Sequence, residues 1–383
     1  MKHLFKMERP VNGIEHISAQ TQHPFQPLPK PTGASPFHLD IKTIISPVAY
    51  AELLVSKKLI FQTAGDSGGV HNPHYQQIVA DHMEWEFDKN APANNPLFFY
   101  HLGDIVYYFG KMSQYHIQFY EPYKFYPAPI LGIPGNHDGD VDPTDPTKPK
   151  SLAAFVALFC SKFPIIPPVA FDAVRTTMTQ PNVFWTLVTP VANIIGLYSN
   201  VPGGGEIQAD QQQWFVNELK TANKDRNAKA LIVALHHPPY SMDADVGSST
   251  KMQKVLDDSF TQSGVVPDIV LSGHVHNYQR FTRKIGTRQV PYIVAGAGGY
   301  WHLHPMNIPG KPVIKMPSKT PFENVVLEKY CEDRHGFLRI EIDMQKKQLT
   351  GKYITVPGSL QTEKDPSVLF DSFTIDLAKN KIK

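Results

Sequence analysis

Short apolar runs followed by a polar residue recur along the chain, and a glycine usually precedes that polar residue. Five such runs cover residues 59–61, 97–100, 129–133, 231–235 and 268–271. They lead, in order, to Asp66, Asp104, Asn136, His236 and His274. Apolar runs of this length without alternation indicate strands that are buried on both faces. The pattern therefore predicts a buried sheet whose strand ends carry polar side chains.

The residues between and after these runs predict the remaining elements. Stretches predicted to be helical cover residues 48–56, 73–90, 150–163, 209–223 and 249–263. Ser46 and Pro47 are the residue types that begin a helix, as N-cap and first residue. Beyond residue 285, apolar and polar residues alternate as in antiparallel strands, in 290–295, 337–343, 348–356 and 368–376. We expect an α/β (α+β) fold, a four-layer sandwich of two mixed β-sheets flanked by helices.

Proline content separates the N-terminus from the rest of the chain. Residues 1–45 are rich in proline and polar residues and predict an extended N-terminal arm. This segment is too short to form a separate β-sandwich domain before the first strong strand. The chain has 383 residues, 42% of them hydrophobic, which is enough to bury one large core. Residues 46–383 are therefore predicted to be a single catalytic domain.

Charge argues against large anionic partners. The formal net charge is +2, and the charges are scattered rather than arranged in blocks. We therefore expect no nucleic-acid partner and no electrostatic attraction to a membrane, because both need a basic face. An anionic substrate would have to be held by a local site such as a metal ion. The sequence specifies no oligomeric state.

Segments that would direct the chain to a membrane or out of the cell are not apparent in the sequence. No apolar run approaches the roughly 18 residues of a membrane span, so we expect no stable membrane insertion. Residues 1–13 lack the apolar segment of a signal peptide. A soluble protein is expected, either cytoplasmic or exported by an unrecognised route. Cys160 and Cys331 are the only cysteines, so we expect buried free thiols rather than a disulfide framework.

The polar residues at the five strand ends have the chemistry of metal ligands. Two aspartates, one asparagine and several histidines would meet at one edge of the sheets, with Tyr107 three residues beyond Asp104. Carboxylates, imidazoles and an amide oxygen suit first-row divalent or trivalent metals. The set is large enough for two ions that share a carboxylate and act together on one ester. Glycines before the ligands would let the backbone approach the ions closely.

Five motifs in order give a family resemblance. They are Gly65-Asp66-Ser67-Gly68, Gly103-Asp104-Ile105-Val106-Tyr107, Gly135-Asn136-His137-Asp138, Val233-Ala234-Leu235-His236 and Gly273-His274-Val275-His276. The set resembles the metal motifs of purple acid phosphatases, within the calcineurin-like metallophosphoesterases. The resemblance covers residues 58–300 and implies the calcineurin-like fold. Gly68 stands where most of the superfamily has a histidine ligand, and Tyr107 stands where purple acid phosphatases have a tyrosinate.

The resemblance implies a cofactor of two metal ions, Fe(III) with a divalent Fe, Zn or Mn. Asp66, Tyr107 and His276 would bind Fe(III), and Asp104 would bridge the two ions. Asn136, His236 and His274 would bind the divalent ion. The implied reaction is in-line attack of a metal-activated hydroxide on a phosphomonoester. The resemblance therefore implies a small-molecule phosphate ester as the partner and a phosphoric ester hydrolase of the acid phosphatase type.

Several residues beyond the metal ligands are candidates for substrate contact. His137, next to Asn136, would contact phosphate and protonate the leaving group as the catalytic residue. A second histidine that the family usually carries after the His236 position is not found here. Asp243 and Asp245, in the loop at that position, are candidates to replace it, with solvated loop acids as the alternative. His237 and His302 are further candidates for substrate contact, against packing behind the ligands and an ordinary loop histidine.

Two other functions remain open from the sequence. A phosphodiesterase or phospholipase C-like hydrolase could use the same pair of metal ions, and would prefer a diester to a monoester. A non-catalytic metal- or ligand-binding protein could keep the scaffold, and its hydrolysis would be no faster with metal than without. The complete ligand set argues against the second alternative.

Overall fold

The computed structural model describes residues 28–200, 204–307, 312–358 and 361–383. The predicted arm over 1–45 lies partly outside these residues. Strands β1–β8 are His38–Asp40, Lys58–Ala64, Phe99–His101, Ile130–Gly132, Trp185–Val188, Ala192–Gly196, Ala230–Ala234 and Ile269–Ser272. Strands β9–β16 are Tyr278–Ile285, Arg288–Ala295, Ser318–Lys319, Val325–Cys331, Gly336–Asp343, Gln348–Thr355, Val368–Asp376 and Lys381–Ile382. Helices α1–α6 are Pro47–Ser56, His74–Trp85, Asn136–Gly139, Ala153–Phe159, Ala209–Asn223 and Thr250–Ser263.

The strands form two mixed sheets. The larger sheet has the order β1-β5-β6-β7-β8-β10-β9-β12-β11, and the smaller has the order β16-β15-β14-β13-β2-β3-β4. In the larger sheet β6, β7, β8 and β10 run parallel to one another. In the smaller sheet β2, β3 and β4 are parallel. These two parallel groups contain the five apolar runs of the sequence, so their carboxyl ends carry the predicted polar residues.

Two apolar cores separate four layers. Ile232 of β7 packs in one core with Phe61 of β2, so this core lies between the two sheets. Its neighbour Val233 belongs to the other core, together with Phe215 of α5 and Val79 of α2, which cover the outer faces. Successive side chains of a strand point to opposite faces, so an apolar residue is needed at every position. The predicted four-layer fold class is therefore confirmed.

Local signals account for the helix ends. The Ser46 hydroxyl accepts a hydrogen bond from Ala49 N (3.2 Å) and begins α1 as predicted. Ser249 caps α6 in the same way, through Met252 N (3.2 Å). This helix ends at Gly264, whose φ of 70° is favourable for glycine. The predicted helices over 73–90 and 150–163 are shorter in the structure, which has Pro73 at the N-cap of α2 and α4 only over Ala153–Phe159.

Several strands were not predicted from the sequence. Strands β5, β6, β9 and β12 complete the larger sheet, and β1 pairs with β5 in parallel. Residues 38–40 of the predicted arm are therefore part of this sheet. Cys160 and Cys331 are buried free thiols, as expected. Within the described ranges, no helix combines the length and apolarity needed to cross a membrane.

Candidate metal centre

The five polar strand ends meet at the edge where the parallel strands of both sheets terminate. Asp66 follows β2, Asp104 follows β3 and Asn136 follows β4 in the smaller sheet. His236 follows β7 and His274 follows β8 in the larger sheet. Carboxyl ends of parallel strands are the usual ligand-binding edge of α/β folds. The two sheets therefore contribute side chains to one site from opposite sides.

The backbone at this edge is strained in a way that brings the side chains together. Asp66, Asp104 and His274 have φ values of 59°, 54° and 69°. Non-glycine residues rarely adopt this left-handed conformation, and its cost is tolerated mainly at functional sites. A Cβ atom on Gly273 would lie 2.6 Å from Asp66 Oδ2. One on Gly103 would lie 2.6 Å from His236 Nδ1. The absence of side chains at these glycines therefore permits the close approach of the polar groups.

Three donor groups form a first cluster, which contains Asp66, Tyr107 and His276. The Tyr107 hydroxyl lies 3.4 Å from Asp66 Oδ1 and 3.3 Å from His276 Nε2. His276 Nε2 lies 3.6 Å from Asp66 Oδ1. All three side chains are buried. A phenol oxygen, a carboxylate oxygen and an imidazole nitrogen therefore face a common centre.

A second cluster lies directly beside the first and contains Asp104, Asn136, His236 and His274. His236 Nε2 is 3.3 Å from Asp104 Oδ2 and 3.1 Å from Asn136 Oδ1. Asp104, His236 and His274 offer ligand atoms that all lie within 4.8 Å of one another. His236 Nε2 is also 4.0 Å from Asp66 Oδ1, so the two clusters adjoin. Both donor sets fit first-row metal ions.

Hydrogen bonds orient two of the imidazoles. His236 Nδ1 donates to the Leu102 carbonyl (2.8 Å), and His276 Nδ1 donates to the His302 carbonyl (3.1 Å). A neutral imidazole that donates through Nδ1 has its Nε2 lone pair available for a metal ion. Both Nε2 atoms point into the clusters. This arrangement is the one that histidine ligands adopt in metalloproteins.

The protonation states also suit metal ligands. Burial, with the charge of His236 next, lowers the pKa of His274 well below its usual value. Burial and the charge of His304 lower the pKa of His276 well below its usual value as well. The imidazoles of His274 and His276 are therefore neutral. For His236 burial would lower the pKa, but Asp104 and Asp66 together raise it to about 9. Proton release from His236 would therefore accompany metal binding.

The acidic groups respond to the same burial. Burial is the main cause that raises the pKa of Asp66 well above its usual range, and the Asp104 carboxylate adds to it. Burial alone would raise the pKa of Asp104 too, but His236 and the other histidines hold it low. Burial, then Asp104 and Asp66, raise the pKa of the Tyr107 hydroxyl well above its usual value. A tyrosinate at this position therefore requires a bound cation.

His137 and His237 lie beside the clusters. The His137 ring packs against Tyr107 with centroids 4.5 Å apart, and its backbone N donates to Asp104 Oδ1 (2.8 Å). The His237 ring lies 4.3 Å from that of His274, and its Nδ1 shares a 3.0 Å hydrogen bond with the Ser199 hydroxyl. Both histidines are more than nine-tenths buried, at 8% and 3% exposure. The structure therefore brings both to the inner wall of the site.

The other predicted substrate contacts differ in position. The Asp243 carboxylate accepts hydrogen bonds from its own loop, including Gly247 N (2.8 Å) and Val246 N (2.9 Å). Asp245 is exposed in the same loop. The His302 carbonyl orients His276, and its ring is partly exposed. Asp243 thus organises its loop, and neither Asp245 nor the His302 ring is among the groups that form the two clusters.

Several residues of the site were not identified from the sequence. The Tyr300 ring packs on Tyr107 (4.3 Å) and on His276 (4.4 Å). Asp138 accepts hydrogen bonds from Gly135 N (2.8 Å) and Ile105 N (3.1 Å) and joins the second and third motifs. Burial and the charge of Asp104 raise the pKa of Asp138 to about 7. The position of Asp138 inside the third motif was a signal for this role, whereas Tyr300 had only its preceding glycines.

Comparison with known proteins identifies the family of the chain. The sequence profile of the calcineurin-like phosphoesterase family matches residues 71–278, more than half of the chain. Purple acid phosphatase 21 of Arabidopsis thaliana is 28% identical over 128 residues, 32% of this chain and 28% of that protein. A cAMP/cGMP dual specificity phosphodiesterase of Mycobacterium tuberculosis is 33% identical over 109 residues, 28% of this chain and 32% of that protein. These matches span less than a third of either relative.

A structural comparison extends over more of the chain. Purple acid phosphatase PPD1 from yellow lupin has a TM-score of 0.57 and 16% identity, covering 84% of this chain and 55% of that protein. At this identity the likeness concerns the fold alone. The family profile includes the strand ends from Asp104 to His276 and begins after Asp66. The chain therefore belongs to the calcineurin-like phosphoesterase family, which implies a dinuclear metal centre, and within that family it is similar to purple acid phosphatases.

Proposed function

We propose that the protein is a dinuclear-metal phosphatase that hydrolyses phosphomonoesters, as the purple acid phosphatases that it resembles do. The observation that carries the proposal is the pair of adjoining donor clusters at the strand ends. Tyr107 O, Asp66 Oδ1 and His276 Nε2 lie 3.3–3.6 Å apart in one of them. Ligand atoms of Asp104, His236 and His274 lie within 4.8 Å in the other.

The chemistry of the donors supports a proposal for which ion each cluster would hold. Asp66, Tyr107 and His276 would hold Fe(III), because a phenolate and a carboxylate are hard, anionic ligands. Asn136, His236 and His274 would hold a divalent Fe, Zn or Mn ion, and Asp104 would bridge the two. When bound, the pair of ions activates the attacking water and neutralises charge on the phosphoryl oxygens.

The side chains of this protein would position and protonate the substrate. His137 lies at the wall of the first cluster, packed on Tyr107, where a phosphate on the metal pair would reach it. It would bind a phosphoryl oxygen and transfer a proton to the leaving alkoxide as general acid. His237, next to His274, would line the opposite wall. Asp243 would position groups rather than touch substrate, because four hydrogen bonds within its loop occupy its carboxylate and its Oδ2 lies 3.8 Å from His304 Nδ1.

A visible absorption spectrum tests the metal assignment. Aerobically purified wild type is expected to show a broad band, with a violet or pink colour, from tyrosinate bound to Fe(III). Tyr107→Phe is expected to lose the band, and Tyr108→Phe, the matched change at the adjacent tyrosine, is expected to keep it. A colourless wild type, with iron shown absent by elemental analysis of the same sample, would refute the ferric assignment for that preparation.

The ester preference separates the proposal from its alternatives. The relationship to the mycobacterial cyclic-nucleotide phosphodiesterase supports a second candidate, a diesterase that uses the same metal pair. The metal-loaded enzyme should hydrolyse 4-nitrophenyl phosphate faster than bis(4-nitrophenyl) phosphate if it is a monoesterase. The reverse preference would favour the diesterase. Hydrolysis of both esters at the metal-free rate would favour a binding protein on the same scaffold.

A further inference from the structure

Three aromatic side chains from three separate loops meet next to the candidate metal centre. His71 lies in the loop after β2, Tyr108 in the loop after β3 and Trp301 in the loop after β10. The His71 ring lies 5.4 Å from the Trp301 ring, in an edge-to-face arrangement, and 6.4 Å from the Tyr108 ring. We call these three residues the aromatic rim. Their meeting depends on the tertiary fold rather than on proximity in sequence.

The aromatic rim is continuous with the residues that would handle phosphate. The Tyr108 ring lies edge-on to the His137 ring, with centroids 5.3 Å apart. The Tyr108 hydroxyl shares a 2.8 Å hydrogen bond with the Tyr300 hydroxyl. Tyr300 in turn packs on Tyr107 and His276 of the first cluster. The rim therefore begins one ring away from the candidate general acid and extends outward from it.

The rim is not part of the hydrophobic core. Tyr108 and Trp301 are half-buried, and His71 is exposed. By contrast, Tyr107 and Tyr300, which pack on the metal ligands, are each only 1% exposed. Ligand sites typically combine aromatic walls with a few placed polar groups. Partly exposed aromatic rings from three loops beside a polar reaction centre have this composition.

We propose that the aromatic rim binds a planar aromatic group on the leaving alcohol of the phosphate ester. This inference rests on the proposed phosphatase function and adds the substrate class. With the phosphate at the metal centre, the leaving oxygen faces His137, and the group attached to that oxygen extends toward Tyr108. An aromatic leaving group would stack on Tyr108 and Trp301, whereas a small alkyl group would leave these rings in water. The protein should therefore prefer aryl phosphates to alkyl phosphates.

The test compares wild type with Trp301→Ala by measuring kcat/KM for two substrates, 1-naphthyl phosphate and ethyl phosphate. Loss of one aromatic stack is expected to lower the ratio of the naphthyl to the ethyl value about tenfold. Each variant is compared with wild type on the same ester, so the intrinsic reactivity of the two leaving groups cancels. Trp85→Ala removes a 54% exposed tryptophan from α2 and should leave the ratio unchanged. Trp301→Phe keeps an aromatic ring and should retain most of the wild-type ratio.

Each outcome decides between the inference and its alternatives. An unchanged ratio in Trp301→Ala would overturn the inference while leaving the phosphatase function intact. Adenosine 5′-monophosphate distinguishes the source of the aromatic group. If Trp301→Ala also impairs its hydrolysis about tenfold, the rim binds nucleobases, and if not, it binds rings attached directly to the ester oxygen.

A protein without phosphatase activity would still allow the aromatic rim to be tested, by binding instead of hydrolysis. If wild type hydrolyses neither ester with any metal, the affinity for intact 1-naphthyl phosphate can be measured by calorimetry. Binding that is about tenfold weaker in Trp301→Ala than in Trp85→Ala would support the rim on its own. Equal binding in the two variants would overturn it.

Discussion

The two ends of strands β7, β8 and β10 place charged groups in opposite ways. At the amino ends, the Asp268 carboxylate accepts hydrogen bonds from Arg226 Nη1 and Nη2 (2.6 Å each), Arg288 Nη2 (2.9 Å) and Leu231 N (2.8 Å). At the carboxyl ends of the same sheet, His236 and His274 lie among carboxylate and amide oxygens. One end is an ion-pair network, and the other is a set of candidate metal ligands.

The difference shows how one sheet separates stability from function. The charges around Asp268 are opposite and directly paired, so removal of its carboxylate would leave two partly buried guanidinium groups without their partner. At the carboxyl end, the smaller sheet adds Asp66 and Asp104, whose backbones adopt left-handed conformations. Burial and the charge of Asp104 raise the pKa of Asp66 there. This arrangement costs free energy in the folded protein and is offset by binding of a cation. Neutralising one carboxylate at each end should therefore have opposite consequences.

The largest effect is expected from Asp104→Asn, which removes the proposed bridging carboxylate and keeps its shape. Metal ions supply several kcal/mol of charge stabilisation in the transition state, and each 1.36 kcal/mol corresponds to tenfold in rate. We expect kcat to fall about a thousandfold and the metal content to fall from two ions per chain. Initial rates on 4-nitrophenyl phosphate and elemental analysis of the same sample measure both.

Stability provides the control for this change. The amide oxygen that Asp104→Asn introduces can still accept the hydrogen bond that His137 N donates to Asp104 Oδ1 in the wild type, and the repulsion of Asp66 is removed. The variant also loses the charge of Asp104 beside the protonated His236, whose Nε2 lies 3.3 Å from Asp104 Oδ2. Since this loss and the relief of repulsion act in opposite directions, the metal-free variant should unfold in urea within about 2 kcal/mol of metal-free wild type. A much less stable variant would show that the activity loss came from unfolding, and the proposed contrast between the strand ends would fail.

The next effect concerns the amino ends. Asp268→Asn would leave Arg226 and Arg288 without their carboxylate, and their side chains are only 17% and 25% exposed. Breaking a buried ion pair costs roughly 3–5 kcal/mol. Because the arginines are partly exposed, the expected loss in the free energy of unfolding is about 3 kcal/mol. Urea unfolding measures this loss. The kcat of the folded, metal-loaded variant should equal that of wild type, and a thousandfold loss there would remove the distinction between the two ends.

Local sequence patterns identified the strand ends because two requirements coincide there. A strand buried on both faces needs an uninterrupted apolar run, as in residues 231–235, and its end is marked by an abrupt change to polar residues. The structure brings Asp66, Asp104, His236 and His274 together at one edge, as this pattern predicted. The amino-end network was missed, because Arg226, Asp268 and Arg288 lie far apart in sequence and resemble ordinary surface charges.

Loops limited the prediction in the same way. The Asp243 carboxylate binds the backbone of its own loop, and the sequence did not indicate these bonds because they depend on the turn that residues 241–247 adopt. His304 stacks on His276 with centroids 4.2 Å apart, across 28 positions of the chain. The aromatic rim combines three loops that only the fold brings together. Such contacts are set by tertiary packing. The sequence predicted that the loop of His302 would lie near the site, but neither periodicity nor residue type indicated which rings would meet.

The smallest expected effect concerns acid stability behind the carboxyl-end site. His335 Nε2 donates to the carbonyl of Tyr300 (2.8 Å), and burial lowers the pKa of His335 to about 4. A histidine in the unfolded chain has a pKa of about 6.5. Between pH 4 and about pH 6.5 the unfolded chain therefore binds a proton at this histidine that the folded protein does not bind. This group therefore stabilises the fold above about pH 6.5, and its contribution is lost as the pH falls toward 4. Between pH 7 and pH 5 the loss is about 2 kcal/mol.

His335→Gln keeps a donor for the Tyr300 carbonyl and removes the titration. The free energy of unfolding in urea is compared at pH 7 and at pH 5 for each protein. Its decrease over this range should be about 2 kcal/mol smaller in the variant than in wild type. Other groups titrate equally in both proteins, so the difference between the two pH profiles isolates His335. Parallel profiles would mean that His335 is protonated in the folded protein as readily as in the unfolded chain. The acid sensitivity of the carboxyl-end region would then have to come from the ligands themselves, and it should shift to lower pH when metal is bound, because the ion competes with protons for the ligands.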